Sequence, residues 1–229
     1  MSVSELSSSV QNYLKVIWGL GEWRREPVTT TIIAEKMQLS NSSVSGALRR
    51  LAEQDLIHYT PYKAVELTEA GRRYAVEMVR RHRLLESFLV EVLGFGSDEV
   101  HAEAEDLEHA VSERLISRID SYLGHPVRDP HGDPIPAVDG SVTLPNAVRL
   151  SEVAAGTTVR VERVDDEDPE LVLHLERHGV CFGAQITINE SPAFSETMII
   201  QVFETNETMS LGPSATGALY VAELSHEGH

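Results

Sequence analysis

Two histidines and five acidic residues crowd into fourteen positions, Val100–Glu113, in the stretch VHAEAEDLEHAVSE. On a helix turning by about 100° per residue, His101, Glu105, Glu108 and His109 fall in one sector about 100° wide. A little earlier His82 and Glu86 stand four residues apart, again on one helical face. Imidazole nitrogens and carboxylate oxygens are ligands for divalent first-row metal ions. Surface ion pairing in the charge-rich RRHR and EAEDLEH runs is the plain alternative, and for His82 and Glu86 alone it suffices. It does not explain the set of four, which lies beside the apolar rhythm of Val100, Ala104, Leu107, Ala110 and Val111. Like charges gathered next to a buried face cost free energy unless a cation neutralises them.

These residues need elements to hold them. SSVQNYLKVIWGLGEW predicts a first helix, with Val10, Tyr13, Leu14, Ile17 and Leu20 on one face behind serine caps. TTTIIAEKM predicts a short second helix, and NSSVSGALRRLAEQDL a third after a break of about four residues, the helix-turn-helix pattern. LIHYTPYKAVELTEAG then turns at Thr60-Pro61 and returns, as the wing of a winged helix would. Thr68 with Glu69 should cap a long helix that Gly94 and Gly96 end, and the acidic stretch should open another running from Ser97 to Leu123. On the recognition helix Ser42, Ser43 and Ser45 are read as outward hydroxyls, with Arg49 and Arg50 placed for phosphates. Thr30, Ser40 and Lys63 complete the candidate DNA-contacting set.

A segment rich in proline and glycine follows, GHPVRDPHGDPIPAVDGSVTLPN, with no expectation of regular structure. From Val148 short alternating segments (GTTVRVERV, AQITINE, MIIQVFE, ALYVAEL) predict a small β-barrel of about five strands. His125, His131, His174 and His178 lack paired spacing and read as surface or loop residues. His226 and His229 lie in an expected disordered tail, and Cys181 reads as a small core residue of the barrel.

The net charge of −17 argues against nucleic acid until its distribution is considered. Residues 1–83 carry 12 Lys and Arg against 9 Asp and Glu, a balance of +3, and the remainder carries −20. A mildly basic first third fits local DNA contact, while the acidic remainder disfavours indiscriminate binding. One cysteine cannot form an internal disulfide, no apolar run spans a membrane, and no signal-type leader opens the chain, so a cytoplasmic protein is expected. No phosphate-binding glycine loop or nucleophilic triad argues for catalysis. A metal-dependent enzyme with these carboxylates as catalytic ligands would leave the winged helix unexplained.

Taken in order, YLKVIW, LRRLAEQDLI, LTEAGRRYA, RRHRLLESFL, VHAEAEDLEHAVSE and DPHGDPIP resemble the metal-dependent repressors of the diphtheria-toxin-repressor type, over almost the whole chain. The resemblance implies a mainly α protein with β. Its parts would be an N-terminal winged helix-turn-helix (1–74), a helical dimerisation and metal-binding domain (75–125), a Pro/Gly-rich linker (126–147) and a C-terminal SH3-like, FeoA-like β-barrel (148–225). It implies a homodimeric repressor that binds palindromic operator DNA when loaded with manganese or iron, controls metal homeostasis genes and takes no small-molecule substrate. By position, the regulatory metal site would be Asn12, Glu105, Glu108 and His109, and an ancillary site His82, Glu86 and His101 with Asp166 from the barrel. The iron-responsive branch has cysteine where this chain has Glu105 and methionine where it has Asn12. Loss of both sulfur ligands implies Mn(II), with an iron or mixed-metal regulator as the alternative. Two departures stand out: manganese relatives usually carry aspartate at position 12, and some binuclear ones carry glutamate where this chain has Lys15.

Overall fold

The structure is a computed structural model and describes residues 3–23, 26–192 and 194–224, so His226 and His229 lie outside the described residues. It forms two compact units. The first comprises Met1–His82, Leu107–Ile116 and Pro136–Ser141, and the second Arg83–Asp106, Ser117–Ile135 and Val142–His229.

In the first unit, α1 (Ser8–Glu22) starts at the Ser7 cap, whose hydroxyl accepts from Val10 N. It buries Tyr13, Leu14, Ile17 and Leu20 against α2 (Thr30–Lys36) and α3 (Asn41–Glu53). Thr29 and Ser40 cap α2 and α3 through their hydroxyls. The wing is short: β1 (Ile57–His58) pairs antiparallel with β2 (Glu66–Leu67). Thr68 then starts α4 (Glu69–Phe88), its Oγ1 accepting from Gly71 N at 3.0 Å and donating to Asp55 O at 2.7 Å. The helix continues as a π-helical turn, Leu89–Leu93, and stops at Gly94 in the left-handed region.

Gly71 allows α4 to approach the third helix's exit this closely. A Cβ there would lie 1.9 Å from Leu56 O, a carbonyl that already accepts from Thr68 N. Relief requires backbone movement, since no flexible side chain can yield. Gly71→Ala should cost about 1–3 kcal/mol or more, read as a lower urea midpoint with an unchanged slope. An unchanged midpoint would show that the start of α4 shifts freely.

The acidic stretch departs from expectation. A helix forms only over Val100–Leu107 (α5). The chain turns at residues 108–110, and Ser112 caps a separate α6 (Glu113–Tyr122) by accepting from Leu115 N. Two features end α5: Ser112 followed by Glu113 is a helix start, and Glu108 is fully buried in polar company described below.

In the second unit the barrel is a six-stranded antiparallel sheet of order β3-β8-β4-β5-β6-β7. Its strands are β3 (Val148–Arg149), β4 (Thr158–Val164), β5 (Gln185–Asn189), β6 (Met198–Val202), β7 (Thr208–Leu211) and β8 (Leu219–Glu223). Alternation packs Val159, Val161, Ile186, Ile188, Ile200, Val202 and Val221 inward. Two short helices not expected from the strand pattern, α7 (Pro169–Arg177) and α8 (Pro213–Ala218), share this core. Asp168 caps α7 and Pro169 opens it. Cys181 is exposed, contrary to the core reading.

The Pro/Gly-rich segment lacks helices and paired strands, as expected, yet its centre is buried. Asp129 Oδ1 accepts from His131 N and Asp133 N at 3.0 and 2.9 Å, closing a tight turn. Gly132 has φ +94°, and a Cβ on it would meet Glu162 O at 2.3 Å. A register shift in β4 between Val161 and Arg163 accompanies Arg163 aiming at this turn, its Nε 2.9 and 2.8 Å from the two Asp133 oxygens.

Candidate metal centres and nucleic-acid interface

In the first unit, Glu108 is 0% exposed and densely paired. Lys15 Nζ donates to both of its oxygens at 2.7 and 2.8 Å, and His82 Nδ1 lies 2.7 Å from Oε2. His109 Nε2 is 3.6 Å from Glu108 Oε1. On α1, one turn before Lys15, Gln11 is buried and fixes the next contact. Its Nε2 donates to Val3 O and Leu6 O at 2.8 and 3.0 Å, so its Oε1 faces His109 Nδ1 at 2.6 Å. An amide oxygen can only accept; Nδ1 therefore carries a hydrogen, and Nε2 is the nitrogen on the Glu108 side. A ligand histidine is commonly oriented in this way through its other nitrogen.

Between Gln11 and Lys15 in sequence, Asn12 has its Oδ1 buried without a hydrogen-bond partner in the protein. An orphaned carbonyl-type oxygen costs about 1–3 kcal/mol. Its neighbours on α1, Gln11 and Lys15, contact His109 and Glu108, so the donor set that α1 meets suits an oxygen- and nitrogen-liking cation. Gln11 escaped the sequence reading. Its one signal was a polar residue four positions before Lys15 and three before buried Leu14, on the inner face of α1.

In the second unit Glu86, His101 and Asp166 each place a ligand atom within 4.8 Å of the others. His101 Nδ1 is 2.8 Å from Asp166 Oδ2 and 3.2 Å from Glu86 Oε1, and its Nε2 is 3.9 Å from Glu105 Oε1 at the end of α5. Burial alone would lower the His101 pKa, but hydrogen bonds and charge from Asp166 and Glu86 outweigh it and push it up to about 11. Burial raises Asp166, yet its bond to His101 and the charges of His101, His131 and Arg163 hold its carboxyl well below the usual range. Asp129 moves the other way: burial, Asp133, Glu86 and Asp166 raise its carboxyl well above the usual range, with Arg83 opposing. His82 precedes Glu86 by one turn of α4.

The sector drawn on one continuous helix does not form, because the backbone turns after Leu107. Glu108 and His109 belong to the first unit, and His101 and Glu105 to the second. His131, read as a surface or loop residue, lies in a turn but is only 2% exposed. His125 is exposed and pairs with Asp120, and the His174 and His178 rings meet at a tilt of 52° at the end of α7.

On α3, Ser40, Ser42 and Ser43 form one exposed hydroxyl cluster, with Ser40 Oγ 2.9 Å from each of the others. Ser45 is half-buried, not outward as expected. Arg49, Arg50 and the wing's Lys63 are exposed, and Thr30 is half-buried at the start of α2. Among the described residues no helix is long and apolar enough to cross a membrane.

Three family models match in succession. They are an iron dependent repressor N-terminal DNA binding domain (residues 5–65), an iron dependent repressor metal binding and dimerisation domain (68–137) and a FeoA domain (148–223). The chain is 34% identical over 211 residues to the iron-dependent repressor IdeR of Mycobacterium leprae, covering 86% of this chain and 91% of that protein. It superposes on a solved manganese-dependent transcriptional repressor in complex with manganese with TM-score 0.89 and 44% identity, covering 94% of this chain and all of that one. The manganese regulator SloR matches at TM-score 0.77 and 31% identity, covering 94% and 98%. The winged helix, the carboxylate–imidazole clusters and these matches have one common account: the chain belongs to the family of metal-dependent transcriptional repressors of the diphtheria toxin repressor type.

Proposed function

We propose that this chain is a manganese-dependent, cytoplasmic, homodimeric repressor of metal homeostasis genes, a regulator and not an enzyme, that binds palindromic operator DNA. The carrying observation is the orphaned Asn12 Oδ1 on α1, in a set with no sulfur donor. Asn12, Glu108 and His109 are the first-unit ligands of the regulatory metal. Glu86, His101 and Asp166 form the second site. When bound, the divalent cation supplies positive charge and directed coordination.

The chain's own residues do the rest. Asn12 lies on the helix whose opposite positions pack α2 and α3, so fixing Asn12 to Glu108 and His109 fixes the helix-turn-helix relative to the 107–116 segment. Gln11 holds His109 in the coordinating tautomer. Arg49, Arg50 and Lys63 meet phosphates, and the Ser40, Ser42 and Ser43 hydroxyls meet the groove. Operator binding then rises because the DNA-competent arrangement binds metal more tightly than its alternatives.

The test uses a duplex selected from a random library by the Mn(II)-loaded protein. Protein stripped by chelation is titrated with Mn(II) and, anaerobically, with Fe(II), and operator binding is followed by fluorescence anisotropy. Activation at lower free Mn(II) than Fe(II) is expected, because amide and carboxylate oxygens suit Mn(II). Equal or better activation by Fe(II) would overturn the assignment of the metal.

A further inference from the structure

Residues 59–65 join β1 to β2, and both ends of this loop are tied down. Tyr59 packs on the core of the first unit, and Val65 is buried, its amide donating to Val28 O at 2.8 Å. Between them Lys63 N donates to Thr60 O at 3.1 Å, closing a turn with Pro61 second and Tyr62 third. Tyr62 has φ +66°. A turn with proline second and a positive φ third takes glycine or asparagine there, and a bulky side chain in that region costs free energy. Packing does not offset the cost, because Tyr62 is 105% exposed and its ring buries no apolar surface. A single exposed aromatic is ordinary. One that is also held in the left-handed region, at the tip of a tethered turn, is strained where a ligand can meet it.

Its surroundings identify the ligand. Lys63 is exposed beside it, and the same unit carries the exposed Arg49 and Arg50 and the Ser40, Ser42 and Ser43 hydroxyls. We infer that Tyr62 is a further DNA-contacting residue that enters the minor groove flanking each operator half-site, an inference that rests on the operator-binding reading above. A module whose helix occupies the major groove can reach the adjacent minor groove with a projecting segment. The Tyr62 ring is flat and uncharged, and its hydroxyl donates a hydrogen bond. The minor-groove edge of an A·T pair presents only acceptors, adenine N3 and thymine O2. A G·C pair adds the guanine amino group, which projects into the space the ring would fill. Tyr62 therefore favours A·T pairs beside the half-site, while Lys63 meets phosphates and carries no sequence preference.

Mn(II)-loaded wild type and its Tyr62→Asn and Tyr62→Phe variants each select duplexes from a random library. Anisotropy over a range of salt then gives their affinities for the wild-type duplex. Asparagine suits the left-handed turn, so the urea midpoint of Tyr62→Asn should equal or exceed that of wild type, which separates fold from contact. Its operator affinity should fall on the order of tenfold. The salt slope should stay, because no charge is lost, and the A·T preference beside the half-site should vanish from its selected duplexes. Tyr62→Phe keeps the ring and should keep the preference, with an affinity between the two. The inference is overturned if wild type selects no A·T preference there, or if Tyr62→Asn binds and selects as wild type does while Arg50→Ala weakens binding. It is equally overturned if Tyr62→Asn binds every sequence more weakly with the flanking preference intact. If Arg50→Ala also leaves binding unchanged, the operator-binding reading itself fails.

Discussion

Glu108→Gln is expected to need at least about 100-fold more Mn(II) for half-maximal operator binding, or to show none. The carboxylate is fully buried and is shared by Lys15 and His82 beside His109. Glutamine keeps its shape and one oxygen but removes the charge that a divalent ligand set requires. A 100-fold change corresponds to about 2.8 kcal/mol of lost coupling, within the range for removing one member of a buried ionic group. Anisotropy titrations on the selected duplex measure it, with far-ultraviolet dichroism to show that the fold persists. Activation at the wild-type Mn(II) concentration would exclude Glu108 from the switch.

The second large effect concerns Lys15. Its ammonium, 12% exposed on the side chain, holds both Glu108 oxygens, so it neutralises the same carboxylate that a cation would claim. Lys15→Met should therefore act in opposite directions on two quantities. Metal-stripped protein loses about 3 kcal/mol, because a buried carboxylate loses its principal counter-charge. Mn(II) affinity at the first site rises at least tenfold, because a like charge within about 4 Å is removed, an interaction of about 4 kcal/mol at an effective dielectric of 20. Thermal unfolding with and without Mn(II) reads both, and the gap between the two melting temperatures should widen relative to wild type. A narrower gap would mean that Lys15 supports the metal site and does not compete with it. On this reading the lysine makes one carboxylate serve either a cation of the chain or one from solution.

The amphipathic helices α1, α3 and α4 were legible because each has a dry face and a wet face, and apolar spacing reports that directly. The Thr68 cap and the wing's turn were legible from local chemistry. What escaped depends on distant partners. The turn after Leu107 is stabilised by Lys15 pairing with Glu108 from 93 residues away, which no helical wheel contains. Ser112 before Glu113 was the local sign of a new helix, and a continuous reading passed over it. Asp168-Pro169 was likewise a helix start hidden among strand patterns. His131 looked like a loop residue because prolines flank it. Its burial comes from Asp133 meeting Arg163, thirty positions on, and from a glycine that admits the Glu162 carbonyl. The resemblance implied Asn12, Glu105, Glu108 and His109 as candidate ligands by position. It did not point to Gln11, whose work is to orient one of them.

The turn at 129–136 also bears on modularity. Family boundaries leave residues 138–147 between the dimerisation and FeoA-type segments, as though the chain could be severed there without loss. The physical seam runs elsewhere. Asp133 is neutralised by Arg163 and Arg83, His131 O accepts from Val164 N, and Gly132 seats against Glu162, so the last residues of one inherited segment are finished by the next. A chain shortened before Val148 would leave Asp133 with Arg83 but take away Arg163 and the Glu162 and Val164 backbone that close over the turn. The barrel is less an appendage than a lid completing its neighbour's interior, and evolution could discard it only by first rewriting DPHGDP.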